Sequence, residues 1–214
     1  MMKTKACIFD LDGVIVDTAK YHFLAWKRLA DELDIPFDEQ DNERLKGVSR
    51  MQSLDIILEL GNRQLAEEEK VRLATRKNNW YKEYVSHMDG SEILPGVQEF
   101  LQALKQQGIF CVLASGSRNA PAVIRNVGLR EAFDAIVDIE KVAHPKPFPD
   151  LFLQGAVAVD QPPEHCVVFE DAAAGIEAAK SAGMYAIGVG LEQNLPGSDQ
   201  VIPGFANAGV EILP

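Results

Sequence analysis

Asp10 and Asp12 close an apolar run, Ala6-Cys7-Ile8-Phe9, and Gly13 follows them. A continuous apolar run of strand length, ended by a turn residue, reads as a buried parallel strand. The two acids then fall at its carboxyl end, the edge where open α/β sheets bind ligands. If the pleat continues through Leu11, both carboxylates face the same side. Two carboxylates in close range raise one another's pKa unless something positive sits between them. Mg2+ suits that position, because it accepts a few carboxylates while keeping water and phosphate as its other ligands. Asp-Leu-Asp-Gly could instead open a calcium loop. That loop wants a polar residue, Gly and Glu where this chain has Val14, Ile15 and Tyr21, so it is rejected.

The alternating half of the chain brings further polar groups to the strand ends and the loops that follow them. Ser115 follows Ile109-Phe110-Cys111-Val112-Leu113-Ala114, and its hydroxyl and neighbouring amides are expected to open a helix N-terminus that cradles phosphate. Lys146 stands between Pro145 and Pro147, which restrain its backbone and suit it to hold a fixed point charge on phosphate. Glu170-Asp171 follow Cys166-Val167-Val168-Phe169 as Asp10 follows Phe9. Two more carboxylates at a buried strand end are hard to explain without a cation. Asp10, Asp12, Glu170 and Asp171, with Lys146 and Ser115, therefore read as an Mg2+–phosphate site at one sheet edge.

The elements that must carry these groups alternate. Helical stripes over 97–107, 119–127, 149–159 and 172–181 separate apolar strands at 109–114, 135–137, 166–169 and 185–189, which implies a parallel sheet with helices on both faces. Beyond Gly190 only loops are expected. The first strand belongs to this sheet, yet residues 18–88 show only helical periodicity: a stripe through Phe23, Trp26, Leu29 and Leu33 with Thr18 as its cap, a short piece at 42–46, a helix capped by Ser49, and a long charged helix over 65–85. The fold class is α/β, a Rossmann-like core of 1–16 and 90–214 with an inserted helical domain at 17–89. The crossings at Val16-Asp17-Thr18 and Asp89-Gly90-Ser91 are candidate hinges.

The net charge of −11 argues against nucleic acid as a partner, so an anionic substrate needs a local cationic cluster. No apolar run approaches the roughly 18 residues of a membrane span, and the basic opening Met1–Lys5 is not backed by a signal-peptide core. Cys7, Cys111 and Cys166 each sit inside an apolar strand, as small hydrophobes in a reducing compartment do. A cytoplasmic monomer is expected.

Asp10-Leu11-Asp12-Gly13, Ser115, Lys146 and Glu170-Asp171, in that order, resemble the four motifs of the haloacid dehalogenase superfamily. The resemblance implies a Rossmann-like core with a mobile cap. It also implies Asp10 as nucleophile forming an aspartyl-phosphate, and Asp12 as general acid/base with a raised pKa. Mg2+ would lie between Asp10, the Asp12 carbonyl and the Glu170-Asp171 pair, with Ser115 and Lys146 on the transferring phosphoryl group.

The insertion narrows the resemblance. In Leu45-Lys46-Gly47-Val48-Ser49-Arg50, with Ser53 one turn on, a cation and free amides meet at a helix start, which suits a second anion. With Asp17-Thr18, Tyr21-His22, Trp26, Arg76-Lys77-Asn78 and Ser115-Gly116-Ser117-Arg118-Asn119, these residues are similar to the β-phosphoglucomutases within that superfamily. That similarity implies Arg50, Ser117 and Asn119 on the non-transferring phosphate and Lys46, Gly47, Val48, Ser49, Ser53, Trp26 and Gly116 around the substrate. It further implies His22 and Lys77 coupling cap closure to the acid/base, with Thr18 as a hinge residue. The implied substrates are sugar phosphates. Phe148, His144-Pro145 and a short C-terminus without a clear final helix depart from the pattern. A sugar-phosphate phosphatase is the alternative. A phosphonate hydrolase, which would need Lys46 or Lys77 as a Schiff base, and a phosphoacceptor signalling module stand further off.

Overall fold

The computed structural model of the chain describes residues 4–45 and 48–214. Its centre is a six-stranded, all-parallel sheet of β1 (Ala6–Phe9), β2 (Phe110–Ser115), β3 (Ala135–Asp138), β4 (Cys166–Glu170), β5 (Tyr185–Val189) and β6 (Gln200–Ile202). The spatial order is β3-β2-β1-β4-β5-β6. The chain builds outward from β1 in one direction and from β4 in the other, so the order reverses between those two strands. Open α/β sheets bind ligands outside the carboxyl ends at such a switch point. There the end of β1 carries Asp10, and the end of β4 carries Glu170-Asp171.

Residues 18–88, where described, hold no regular strand. They form α1 (Ala19–Glu32), α2 (Glu39–Glu43), α3 (Arg50–Leu60) and α4 (Glu67–Val85), around a hydrophobic cluster of their own that includes Trp26, Leu29, Ile35, Leu54, Ile57 and Leu73. The two segments joining these helices to the sheet are knit together. Val16 forms an antiparallel bridge with Ile93. Asp17 N–H donates to the Glu92 carbonyl and Leu94 N–H to the Ile15 carbonyl, both at 3.0 Å. The Glu92 carboxylate then takes Lys20 Nζ at 2.6 Å and the Tyr21 hydroxyl at 2.5 Å.

The remaining helices are α5 (Val97–Gln106), α6 (Ala120–Asn126), α7 (Asp150–Ala158) and α8 (Ala173–Ser181). Strand residues alternate between the two faces. Cys7, Phe9, Leu113, Phe169 and Ile187 pack with α5 and α6, whereas Ile8, Val112, Val168 and Ala186 pack with α7 and α8. Buried on both sides, the strands read as continuous apolar runs. All three cysteines are buried and free of disulfides. Among the described residues no helix is long and apolar enough to cross a membrane.

Two expectations are corrected. Residues beyond Gly190 are not only loops: β6 adds an edge strand beside β5, with Gly188 level with Val201. Three residues between Asp199 and Pro203 are too few to show a period. The short helix expected at 42–46 lies at Glu39–Glu43, where Asp38 and Asp41 close a reciprocal capping box.

Phe9, directly before Asp10, stacks on Phe169 with centroids 4.8 Å apart and meets Phe100 and Phe133 edge-on at 6.3 and 6.2 Å. Phe9→Ala should cost about 3–5 kcal/mol, read as a lower urea midpoint at unchanged m-value. A loss below about 1 kcal/mol would show that the ring cluster does not fix the strand end.

Candidate active site

Asp10 lies one residue past β1, its N–H donating to the Phe169 carbonyl at 3.0 Å. The buried Lys146 ammonium sits 2.6 Å from Asp10 Oδ1 and 2.7 Å from Glu170 Oε2. The second oxygen of each carboxylate takes a backbone N–H, from Asp12 onto Asp10 at 3.1 Å and from Ala172 onto Glu170 at 3.2 Å. Asp10 to Asp12 is thus a turn closed by the Asp10 carboxylate, not a continuing pleat. That turn, with Leu11 wholly buried, is what brings both acids to one cleft.

Carboxylate oxygens of Asp10, Glu170 and Asp171 lie within 4.8 Å of one another. Two glycines make room for them. A Cβ on Gly175 would lie 2.0 Å from Glu170 Cδ, and one on Gly13, at φ +80°, 2.2 Å from Asp171 Oδ2. Burial first, then the charges of Asp10 and Asp171, push Glu170 up to about 8 against the pull of Lys146. Burial also works against the Lys146 charge, but Asp10 and Glu170 outweigh it and raise its pKa. One ammonium does not balance the carboxylates gathered here. The all-oxygen donor set and the excess negative charge fit a hard divalent cation.

Asp12 is pushed up to about 8, by burial first and then by Asp10 and Asp171, with Lys146 and Lys77 pulling the other way. It therefore holds a proton near neutral pH, on a side chain that keeps 29% of its surface open to the cleft. Thr18 does not cap α1; its hydroxyl donates to Asp12 Oδ1. The same oxygen lies 3.9 Å from His22 Nε2. Lys77 Nζ is 2.9 Å from His22 Nδ1. When Lys77 is charged its ammonium can only donate, and the ring hydrogen is then on Nε2, facing Asp12. Burial, then Lys77 and Arg50, hold the His22 pKa well below its usual value, so the ring is neutral. Lys77, buried over the faces of Trp26 and Tyr81, is itself lowered to about 7 by burial and then Arg50.

These groups line a cleft of about 460 Å3 between the sheet edge and the helical segment. Ser49 caps α3 through a reciprocal pair with Gln52, at 3.3 and 3.0 Å, and this sets Arg50 at the helix start on the cleft wall. Trp26, Val48, Ser49, Ser53, Gly116, Ser117 and Asn119 line the same space. Ser115 does not open a helix, since α6 starts at Ala120. Its oxygen accepts Ser117 N–H at 3.1 Å, and Ser117 Oγ accepts Asn119 N–H at 3.2 Å, so the two serines fold the loop between β2 and α6. Thr18 and Ser115 sit behind the lining residues, buried. Lys46 and Gly47 lie outside the described residues.

The sequence reading gave no role to Arg118, which lines the cleft and whose charge, after burial, lowers the pKa of Arg50. Its place in Ser115-Gly116-Ser117-Arg118-Asn119 was the available signal. Thr75, Val71 and Ile139 also line the cleft without having been singled out, because nothing in their spacing separates a cleft wall from a helix surface.

Residues 4–183 match the model of the haloacid dehalogenase-like hydrolases. The chain belongs to the haloacid dehalogenase-like hydrolase family. It is 48% identical over 211 residues to a β-phosphoglucomutase of Bacillus subtilis, covering 98% of this chain and 93% of that one. It is 34% identical to a phosphorylated carbohydrates phosphatase of Thermotoga maritima, covering 84% of this chain and 82% of that one. A crystal structure of β-phosphoglucomutase from Clostridium difficile superposes with a TM-score of 0.93 at 43% identity, covering 98% of this chain and 95% of that one.

A carboxyl raised to about 8 in the folded protein keeps a proton that the unfolded chain releases above about 3.9. Its stabilising contribution is complete below that lower value and is lost as pH rises towards about 8. In metal-free protein, Asp12→Asn removes this titration and should flatten the fall of Tm between about pH 5 and 8. An unchanged slope would mean that Asp12 is ionised throughout.

Proposed function

We propose that this protein is an Mg2+-dependent β-phosphoglucomutase, interconverting β-D-glucose 1-phosphate and glucose 6-phosphate through β-glucose 1,6-bisphosphate. The observation that carries the reading is one cleft with two poles: Asp10 and Lys146 at the sheet edge, and Arg50 with Arg118 on its walls. A substrate with phosphate at both ends finds a partner at each. The names of the Bacillus and Clostridium relatives support the same reading.

In the proposed cycle Asp10 carries the phosphoryl group as an aspartyl-phosphate. Asp12, left ionised by giving its proton to the departing sugar oxygen when Asp10 was phosphorylated, takes the proton from the C6 hydroxyl of β-glucose 1-phosphate as that oxygen attacks phosphorus, giving the bisphosphate and a free Asp10 carboxylate. The bisphosphate reorients. Asp10 then attacks the C1 phosphate, and Asp12 returns the proton to the departing C1 oxygen. Lys146 holds the transferring oxygens and Ser115 folds the loop behind them, while Arg50, Ser117 and Asn119 hold the phosphate that stays. A divalent cation held by Asp10, the Asp12 carbonyl, Glu170 and Asp171 would neutralise charge on the transferring group. His22, with its ring hydrogen turned to Asp12 by Lys77, orients the acid/base. Residues 17–89 are proposed to close as a cap over 1–16 and 90–214.

The phosphatase alternative uses the same first step with water as acceptor, and the Thermotoga relative bears such a name. A phosphoacceptor signalling module would also place its aspartate on a central strand, as β1 is. The helical segment between β1 and β2 is what argues against it.

Supplied with β-glucose 1-phosphate, Mg2+ and a trace of the bisphosphate, the protein should form glucose 6-phosphate in large excess over free phosphate. Dominant phosphate release would leave the phosphatase. Arg50→Ala should lose about 10- to 150-fold in mutase kcat/KM, the scale of a charged hydrogen bond to phosphate, and far less in hydrolysis of p-nitrophenyl phosphate. Equal losses would remove Arg50 from the distal phosphate. Asp10→Asn, whose amide cannot attack phosphorus, should show no turnover or phosphoenzyme; near-normal rates would exclude Asp10 as nucleophile.

A further inference from the structure

Lys77 and Asn78 are consecutive on α4, and both are buried, 2% and 9% exposed. Successive residues on a helix project about 100° apart, so the two reach different elements. Lys77 turns to His22 on α1. Asn78 turns across the cleft, where its Oδ1 accepts a hydrogen from Asn119 Nδ2 at 3.0 Å. Asn119 stands at the head of α6 on the sheet side, its own N–H held by Ser117 Oγ at 3.2 Å. The pair is thus a buried hydrogen bond between the helical segment and the loop that follows β2.

A carboxamide nitrogen carries two hydrogens, and its partners decide where each points. With one hydrogen of Asn119 engaged by Asn78, the nitrogen is fixed and its other hydrogen remains for an anion in the cleft that Asn119 lines. We infer that Asn78 is a positioning residue: it orients the Asn119 amide towards the distal phosphate and ties the helical segment to the core where that phosphate is held. The inference rests on the two-pole reading above only for the identity of the anion. Through adjacent residues, α4 then joins both ends of the site. Lys77 acts through His22 at the proton-transfer end, and Asn78 acts through Asn119 at the distal-phosphate end.

The test is a double-mutant cycle on KM and kcat with Asn78→Ala, Asn119→Ala and the pair. Substrates are β-glucose 1,6-bisphosphate, which keeps a second phosphate while the first is transferred to Asp10, and p-nitrophenyl phosphate, which keeps none. Asn78→Ala should raise KM for the bisphosphate about tenfold, as expected when a buried donor loses its partner, and shift kcat/KM for p-nitrophenyl phosphate less than about twofold. In the Asn119→Ala background, Asn78→Ala should add nothing. Multiplicative effects in the double variant, or an equal loss on both substrates, would overturn the inference. If Asn78→Ala melts below assay temperature, Asn78→Ser, too short to reach Asn119, makes the same test. KM for the bisphosphate is read on the sugar monophosphate released, which a mutase and a phosphatase both form, so failure of the mutase reading leaves this test standing.

Discussion

A single buried ammonium facing several carboxylates is the constraint that the sheet edge is built to satisfy. Isolated carboxylates are costly to bury. Lys146 bridges Asp10 and Glu170, and each of those acids takes one backbone N–H as well. For one ammonium to reach both, β1 and β4 must be neighbours in matched register, and Phe9 is level with Phe169. The stacked phenylalanine rings sit one residue before the acids and hold that register from within the core. Gly13 and Gly175 leave the space that a Cβ would take from Asp171 and Glu170. Sheet order, register and two glycines therefore converge on one cluster whose remaining negative charge a divalent cation can offset.

The opposite side of the cleft inverts this electrostatics. The chain as a whole carries −11, yet Arg50, Lys77 and Arg118 meet on one cavity, and burial with mutual repulsion lowers the pKa of Arg50 and Lys77. Arg118 has the Glu140 carboxylate 3.6 Å away, whereas burial and neighbouring positive charge weigh on Arg50 and Lys77, a cost that an anion joining them would relieve. Trp26, Val71 and Ile139 give the space between the poles apolar wall. An acidic, cation-accepting pole and a basic pole on one enclosed volume match a ligand with anionic groups at both ends.

Much of this was legible from residue types alone, for a physical reason. Strands buried on both faces are uninterrupted apolar runs, so the polar residues ending them, Asp10, Ser115 and Glu170, stand out. The alternation of strands and helices gave the parallel sheet in the same way. What failed depended on geometry without a period. The three residues of β6 are too short to show one. Thr18 has the chemistry of a cap, but its hydroxyl is turned to Asp12 and accepts no N–H of α1. Arg118 and Thr75 became cleft residues only once the helical segment lay against the sheet edge. Nothing local in the sequence reports that juxtaposition.

The Thr18–Asp12 bond also bears on how a proton could be kept from water. Asp12 belongs to the turn after β1, whereas Thr18 immediately precedes α1, so their hydrogen bond spans the junction between sheet and helices. His22, approaching the same Asp12 oxygen, is on α1 itself. Any rotation of α1 relative to β1 must change both contacts, because Asp12 is fixed to the sheet by its N–H on Asp10. The carboxyl proposed to move protons is therefore mechanically linked to the segment proposed to close the cleft. A phosphatase and a mutase can share every group that touches phosphorus. What would separate them is whether the proton-transfer group is in place before water is excluded, and in this chain the seven residues from Asp12 to Thr18 hold both halves of that dependence.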